Sequence, residues 1–462
     1  MSSAFAQVVA SDDEATRPAA HYTVDELMSR IARFSSHRTG LIGKAVELPL
    51  SSGNPAICVY SSPVCDLNAL SEAIEYGSDD GLSLSGAGSF THRAVAQVKA
   101  YCEALERYCS VNFNPDELVV ATRNELGNEA VDLELFPRGT AREYDRPGSF
   151  FVPPDNSARI RWVPGYSLLS GERKWLPAGL VYLSSPYHYP GEAFTVPITT
   201  GCALAASYEQ AVVSGLCEVI ERDALSLTWL QRLALPRIVH SPHVSVELEE
   251  RIDRVRRAGF EQYFFNATTD LGVSTIYALQ VAPSSQVSLL VMAATRLNPI
   301  EAMIKVVDEA ASSRFALEAL LRRPTTFDPN DPYSFTRLTD GALYYADWAN
   351  HDAFDFLFDS TSQVDLADLP TLTTEDPIER IDWLLDRFRA CDLEAYVADL
   401  TPPYLRREGL YVVRTIVPAL MPLTINHNLR FLATERLYEA PPRMGYPAHA
   451  LSQINPFPQP FA

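Results

Sequence analysis

The stretch CEVIER at 217–222 repeats, with two changes, the stretch CEALER at 102–107. Each copy carries two glutamates three residues apart and ends in an arginine, within apolar surroundings. On a helix, residues three or four apart lie on one face, so each arginine lies beside the first glutamate of its own copy. Two segments of this kind need an explanation, because charge inside an apolar helix is costly unless it is paired or bound to a metal.

Helical spacing surrounds both copies. The segment THRAVAQVKAYCEALERYCS (91–110) repeats apolar residues at helical intervals, which predicts one buried stripe. In SYEQAVVSGLCEVIERDALSLTWL (207–230), Ser207 and Gln210 predict a capping box, and the helix that follows is apolar nearly all round. Such a helix is expected in the interior. A third helix is predicted after Asn298, with Pro299 in its first turn.

Two interpretations of the repeated pattern compete. In the first, each Glu-Arg pair is an ordinary ion pair on a solvated helix face, which contributes little to stability. In the second, the carboxylates meet in an interior cleft, where cations must neutralise them. Carboxylate oxygens suit Mg²⁺, which often lies between carboxylates and substrate phosphates. The residues therefore favour a magnesium–nucleotide site built on helices, with arginines as phosphate partners.

Composition limits the function classes. The chain has 462 residues and a formal net charge of -20, which argues against nucleic-acid and anionic-membrane binding. No apolar run reaches transmembrane length, and the acidic start lacks the features of a signal peptide. Seven cysteines in no zinc-binding pattern indicate free thiols. We therefore expect a cytoplasmic protein.

The order of elements predicts an α+β or mixed α/β fold, with long helices alternating irregularly with strands. We expect a flexible tail over residues 1–20, a folded region over 21–450 and a proline-rich tail over 451–462. The run GAG at 86–88 is interpreted as a turn before the first glutamate helix. The ending INPFPQPFA has prolines at alternate positions, which favours an extended tail over helix or central strand.

TTGCALAASYEQAVVSGLCEVIERDAL (199–225) resembles the signature of the YcaO superfamily, and KAYCEALERY (99–108) resembles an earlier helix of that family. NPIEAMIKVVDEAASSR (298–314) is similar to its later helix, and VADLT (397–401), GLYVVRTIVPALMPL (409–423) and ERLYEAP (435–441) look like its C-terminal segments. The resemblance implies a YcaO-type α+β fold, with mixed sheets and long helices around a central Mg-ATP cleft. It also implies that two glutamate pairs hold Mg²⁺ at the ATP phosphates: Glu103, Glu106, Glu218 and Glu221. The nucleotide-side positions that it implies are Lys99, Arg107, Arg222, Glu309 and Arg314, with Lys99 standing where many relatives have serine.

Azoline-forming members have a proline-alternating tail that reaches the active site. Similarity to them implies catalytic positions at Pro456, Pro458, Pro460 and Ala462. The implied reaction is an ATP-dependent conversion of Cys, Ser or Thr of a ribosomally made precursor peptide to a thiazoline or oxazoline. The resemblance further implies a precursor with a leader, a separate leader-binding partner related to ubiquitin-activating enzymes, and a homodimer. Alternatives are another nucleophile, as in thioamide or macrolactamidine formation, and a non-catalytic nucleotide-binding scaffold.

Overall fold

The computed structural model describes residues 22–66, 84–183 and 187–461. The tail predicted for residues 1–20 therefore lies outside the described residues. The strands are β1 (Val46–Glu47), β2 (Cys58–Pro63), β3 (Ser85–Phe90), β4 (Val119–Ala121), β5 (Ile160–Ser167), β6 (Arg173–Pro177), β7 (Cys202–Ala205), β8 (Arg237–Val239), β9 (Glu261–Asn266), β10 (Thr275–Val281), β11 (Leu289–Thr295), β12 (Gln363–Asp365), β13 (Tyr396–Asp399) and β14 (Tyr411–Ile416). The α-helices are α1 (Val24–Ile31), α2 (Arg93–Val111), α3 (Arg123–Leu126), α4 (Ala141–Tyr144), α5 (Ala178–Val181), α6 (Tyr208–Leu230), α7 (Val246–Arg257), α8 (Pro299–Leu320), α9 (Asp340–Tyr345), α10 (Asp355–Phe358), α11 (Pro377–Ala390), α12 (Pro403–Arg407) and α13 (Arg436–Arg443).

The strands form three sheets. The first has the order β1-β2-β3, the second β11-β10-β9-β8-β12, and the third β4-β5-β13-β14-β7, with β6 paired to β5. Pairing is antiparallel except between β8 and β12. The α+β class predicted from the sequence is confirmed by this arrangement.

Helix α2 lies directly on strand β3, because β3 carries glycine where the two elements meet. A Cβ on Gly86 would lie 2.2 Å from the backbone nitrogen of Ala104, and one on Gly88 would lie 2.1 Å from the Ala96 oxygen. The turn predicted for 86–88 is therefore wrong: the segment is extended and pairs with β2. A run of three small residues has no period from which a strand could be recognised.

Helix α6 runs through the interior, as its apolar sequence predicts. It begins after Ser207, whose Oγ accepts a hydrogen bond from the Gln210 amide. The return bond of a capping box is not made, so Ser207 acts as a simple N-cap. The helix packs against β14 and β7 of one sheet and β11 of another, which brings two sheets to the CEVIER residues.

Helix α8 covers β10 and β11 and also contacts β3. It begins with Pro299 after the N-cap Asn298, as predicted. Within the described ranges, none of the helices combines the length and the apolarity needed to cross a lipid bilayer.

Candidate active site

The first glutamate of each repeated phrase is held by the same two hydrogen bonds. Oε1 of Glu103 accepts from Arg107 at 2.9 Å, and its Oε2 accepts from the Ala87 amide at 2.8 Å. Oε1 of Glu218 accepts from Arg222 at 3.1 Å, and its Oε2 accepts from the Gly201 amide at 3.1 Å. Each glutamate therefore joins its own helix to the backbone that precedes that helix.

These pairs are i,i+4 ion pairs, but they do not lie on a solvated face. The Glu218 and Arg222 side chains are 23% and 15% exposed, and those of Glu103 and Arg107 are 34% and 22% exposed. Ion pairs of this spacing are ordinarily surface features with weak effects. Here the pairs lie partly enclosed, which agrees better with the cleft interpretation.

Glu106 connects the two phrases electrostatically. Burial raises the pKa of Glu106, Arg107 lowers it, and the charges of Glu218 and Glu103 raise it further, so that the pKa reaches about 8. Three of the four repeated glutamates therefore act on one another, although they come from two distant segments.

Glu221 is fully buried and lies in a positive environment. Its Oε2 accepts from the Thr295 amide at 3.0 Å and from Nζ of Lys305 at 3.3 Å, and its Oε1 lies 3.3 Å from Nη1 of Arg222. Burial by itself raises the pKa of Glu221, but Lys305, Arg222 and Arg296 outweigh it and hold the pKa below the ordinary value. Glu221 is therefore charged.

Helix α8 contributes further charged side chains beside the glutamates. Nζ of Lys305 lies 3.3 Å from Oε2 of Glu309 as well as beside Glu221. Nζ of Lys99, on α2, lies 3.9 Å from the buried Asp308 and contacts the ring of Phe90. Lys99 and Glu309 thus lie along one wall between α2 and α8.

Arg314 lies elsewhere. Its guanidinium is bonded to Gln280 and to the Val287 carbonyl, and it covers the ring of Phe260. Arg314 is only 1% exposed. In this conformation the side chain stabilises the packing of α8 on its sheet and does not present a donor to a phosphate, unlike the position implied by the resemblance.

The glutamates fit Mg²⁺ only if other ligands contribute. Across the described residues, no three His, Cys, Asp or Glu side chains are close enough to hold an ion by themselves. However, Oε1 of the buried Glu221 accepts no hydrogen bond, and burial, with a smaller contribution from the charges of Glu218 and Glu103, raises the pKa of Glu106. Mg²⁺ characteristically takes one or two carboxylates and completes its shell with water and phosphate oxygens. Glu103 with Glu106, and Glu218 with Glu221, are therefore the pairs that would hold it.

The proline-rich tail packs into the molecule beside these residues. The Trp229 indole donates to the Phe457 carbonyl at 3.2 Å, and the Tyr345 hydroxyl donates to the Pro458 carbonyl at 2.9 Å. Phe461 is 6% exposed and lies against Val291 of β11. The Arg222 guanidinium lies over the Phe461 ring, 4.4 Å from its centroid.

The tail passes a glycine on its way. A Cβ on Gly341 would lie 1.8 Å from the Gln459 carbonyl oxygen, so only glycine allows the tail to approach α9 this closely. Pro456, Pro458 and Pro460 serve here to keep the chain extended and to leave no unpaired amide at these positions. Ala462 lies outside the described residues.

Sequence reasoning missed two basic residues. Lys305 bonds to Glu221 across 84 residues of sequence, which no local pattern reveals. Arg414, on β14, is 4% exposed, donates to the Ile198 carbonyl, and is influenced by the charges of Glu218 and Glu106. The sequence did contain an indication of Arg414: a lone arginine in the apolar run YVVRTI predicts a buried charge that needs a partner.

A family model matches the part of the chain that carries these residues. The model of the YcaO family, described as YcaO cyclodehydratase, ATP- and Mg²⁺-binding, matches residues 87–421. An uncharacterised protein of Methanothermobacter thermautotrophicus is 28% identical over 248 residues, which are 52% of this chain and 60% of that protein. The chain thus spans less than two thirds of that relative's length.

Solved structures share the fold. A heterocyclase in complex with substrate and cofactor has a TM-score of 0.73 at 22% identity, over 95% of this chain and 57% of that one. YcaO from Methanopyrus kandleri, bound with AMPPCP and Mg²⁺, has a TM-score of 0.60 at 20% identity, over 86% of this chain and 91% of that one. The family match covers most of the chain and includes both glutamate phrases, and the chain belongs to the YcaO family, an ATP- and Mg²⁺-binding family.

Proposed function

We propose that the chain is an ATP-dependent cyclodehydratase that converts Cys, Ser or Thr of a ribosomally made precursor peptide to thiazoline or oxazoline. The observation that carries this proposal is the position of Arg222. Its guanidinium lies between the carboxylates of Glu218 and Glu221 and the ring of Phe461 in the proline-rich tail. One side chain thereby links the proposed metal pair to the segment that azoline-forming relatives share.

The residues fit the demands of the reaction. A Cys, Ser or Thr side chain attacks the preceding carbonyl carbon, the resulting oxygen takes the γ-phosphoryl of ATP, and phosphate leaves with the former carbonyl oxygen. Bound Mg²⁺ would neutralise the charge that develops on the transferring phosphoryl. Glu103 and Glu218 are oriented in advance by backbone amides and arginines, and pre-oriented charges need no rearrangement during the reaction. In this proposal, Arg222 and Arg107 bind phosphate oxygens.

The test is mass spectrometry of a leader-bearing precursor incubated with the chain, ATP and Mg²⁺. We expect the loss of one water mass per modified residue, with release of ADP and phosphate. The assay includes the separate leader-binding partner that we also propose, related to ubiquitin-activating enzymes. No mass loss in the complete mixture contradicts the proposal.

Removing residues 456–462 separates this function from other YcaO chemistries. We expect the shortened chain to lose cyclisation, because Phe461 no longer covers Arg222. Full activity after truncation would instead favour a different nucleophile, as in thioamide or macrolactamidine formation.

A further inference from the structure

An apolar cavity lies next to Arg222, on the side of the α6–β14 contact. The cavity opens to solvent, and the space not filled by protein atoms, with the open part included, is about 720 Å³. Its walls include Phe136, Leu180, Val417, Leu420, Met421 and Phe431. These residues belong to three different hydrophobic clusters, so the cavity is a gap that the core leaves where the clusters meet.

The polar side chains that line this cavity belong to Thr195, Thr200, Arg222, Arg414 and Thr415. Oγ1 of Thr200, Nε of Arg222 and Nε of Arg414 are buried and make no hydrogen bond. Buried donors without partners are rare and cost stability, so their presence together indicates a missing acceptor. A ligand with an apolar body and an acceptor oxygen at one end would fill the apolar part of the cavity and accept hydrogen bonds from the unpaired donors.

A peptide residue has this composition: an apolar side chain attached to a backbone carbonyl. In the proposed reaction, the carbonyl that is attacked belongs to the residue before the cyclising one. That carbonyl must lie near the phosphate-side residues, among them Arg222. The side chain of the same residue starts only two bonds away from the carbonyl carbon, at the mouth of the cavity.

Resting on the proposed function, we propose that this cavity binds the side chain of the residue preceding the cyclised Cys, Ser or Thr, and that it selects for an aliphatic or aromatic side chain. Arg414 and Thr200 then donate to the peptide carbonyl. Charged side chains at this position are disfavoured, because the peptide carbonyl uses the donors at the polar end and the rest of the wall is apolar.

The test is photocrosslinking with acetylated Gly-X-Cys-Gly amides that carry photo-leucine at X. The full chain is used with Mg²⁺ and a non-hydrolysable ATP analogue, so no cyclisation is needed. We expect crosslinks within 195–198 and 417–423, blocked by competitors with Leu or Phe at X and not by one with Asp. Crosslinks elsewhere, or equal competition by the Asp peptide, overturn the proposal.

Two variants sharpen the result. Val196 lies on a loop beside the cavity and is partly buried, so Val196→Phe fills the space and is expected to reduce crosslinking about 10-fold or more. Val364→Phe, an equal enlargement of a half-buried residue on β12, is the control and should leave crosslinking unchanged. Val196→Ala enlarges the cavity and should improve competition by a naphthylalanine peptide relative to the Leu peptide. Labelling that is insensitive to both Val196 variants contradicts the proposal.

The outcome is distinguishable from that of the proposed function. Crosslinks in the cavity without any water loss from a precursor would support a peptide site and contradict cyclodehydration. Water loss with crosslinks elsewhere would support cyclodehydration and contradict this site.

Discussion

Glu103 and Glu218 hold their carboxylates in the same way: in each, one oxygen accepts from the arginine four residues later and the other from a backbone amide preceding the helix. The Ala87 amide belongs to β3 of the first sheet, and the Gly201 amide directly precedes β7 of the third sheet. The shared arrangement makes the two glutamates equivalent in geometry, so replacing either one should have a similar effect.

Glu218→Gln should lower ATP turnover by about 100-fold or more, because the variant removes charge that is positioned for Mg²⁺ and phosphate. Glu103→Gln should have an effect of similar size. The measurement is phosphate release at saturating Mg²⁺. Glu250→Gln is the matched control, since Glu250 forms the same i,i+4 pair with Arg254 on an exposed helix. Turnover that survives Glu218→Gln would favour a scaffold over an enzyme.

Gly88→Ala should destabilise the protein by about 1–3 kcal/mol, because the new methyl group meets backbone atoms that cannot move independently of α2. Urea unfolding measures the change. Gly179→Ala is the control, because nothing lies within 4 Å of a Cβ at that position. An equal effect at both positions would refute the close β3–α2 packing as the cause.

Phe461→Ala should release the end of the tail. The change removes a buried ring and its contact with the Arg222 guanidinium, which together contribute roughly 2–4 kcal/mol. We expect faster hydrogen exchange over residues 454–461, measured by mass spectrometry. Phe457→Ala provides the comparison, because the Phe457 side chain is 42% exposed. Unchanged exchange in Phe461→Ala would show that the prolines alone hold the tail.

Asp223→Asn should destabilise the protein by about 2–3 kcal/mol, because it removes the carboxylate that binds the buried Arg436 guanidinium at two points and leaves Asp270 as its remaining charged partner. The same carboxylate also accepts from the Met421 amide, which fixes the segment that lines the cavity. Thermal unfolding followed by circular dichroism is the measurement. Glu439→Gln, which breaks the exposed pair with Arg443, should change stability by less than about 1 kcal/mol. Equal effects would contradict the role of burial.

Stability should depend on pH through His427. Burial lowers the pKa of His427, and Arg430 and Arg146 lower it further, to about 3. Above about pH 6.5 the imidazole is neutral in both states, but below that value the unfolded chain binds a proton that the folded chain does not. This group therefore lowers the free energy of unfolding by about 1.4 kcal/mol per pH unit as pH falls from 6.5 towards 3.

Replacing His427 with Phe keeps an aromatic ring against Tyr333 and should remove this part of the slope. Urea unfolding between pH 4.5 and 7.5 measures it. A His427→Phe slope equal to that of the unaltered chain would contradict the prediction.

The sequence predicted the structure well where the residues of a single helix or strand were sufficient to define it. The apolar residues of α6 predicted a buried helix, and Asn298 predicted where α8 begins. The structure has both features. Most other contacts between elements could not be predicted. Arg314 follows Glu309 by five residues, which turns it about 140° around the helix, so it points into the packing and not towards Glu309's neighbours. Lys305 meets Glu221 only because α8 and α6 are brought together by the sheet between them.

The passage of the tail over Gly341 has a consequence for other sequences. Any larger residue at that position would collide with the Gln459 carbonyl and prevent the tail from packing against α9. The glycine belongs to α9, far from the tail along the chain, and can be read even in a sequence fragment that stops short of the prolines. A bulkier residue at the matching position of a relative would therefore exclude a tail that follows the path seen here.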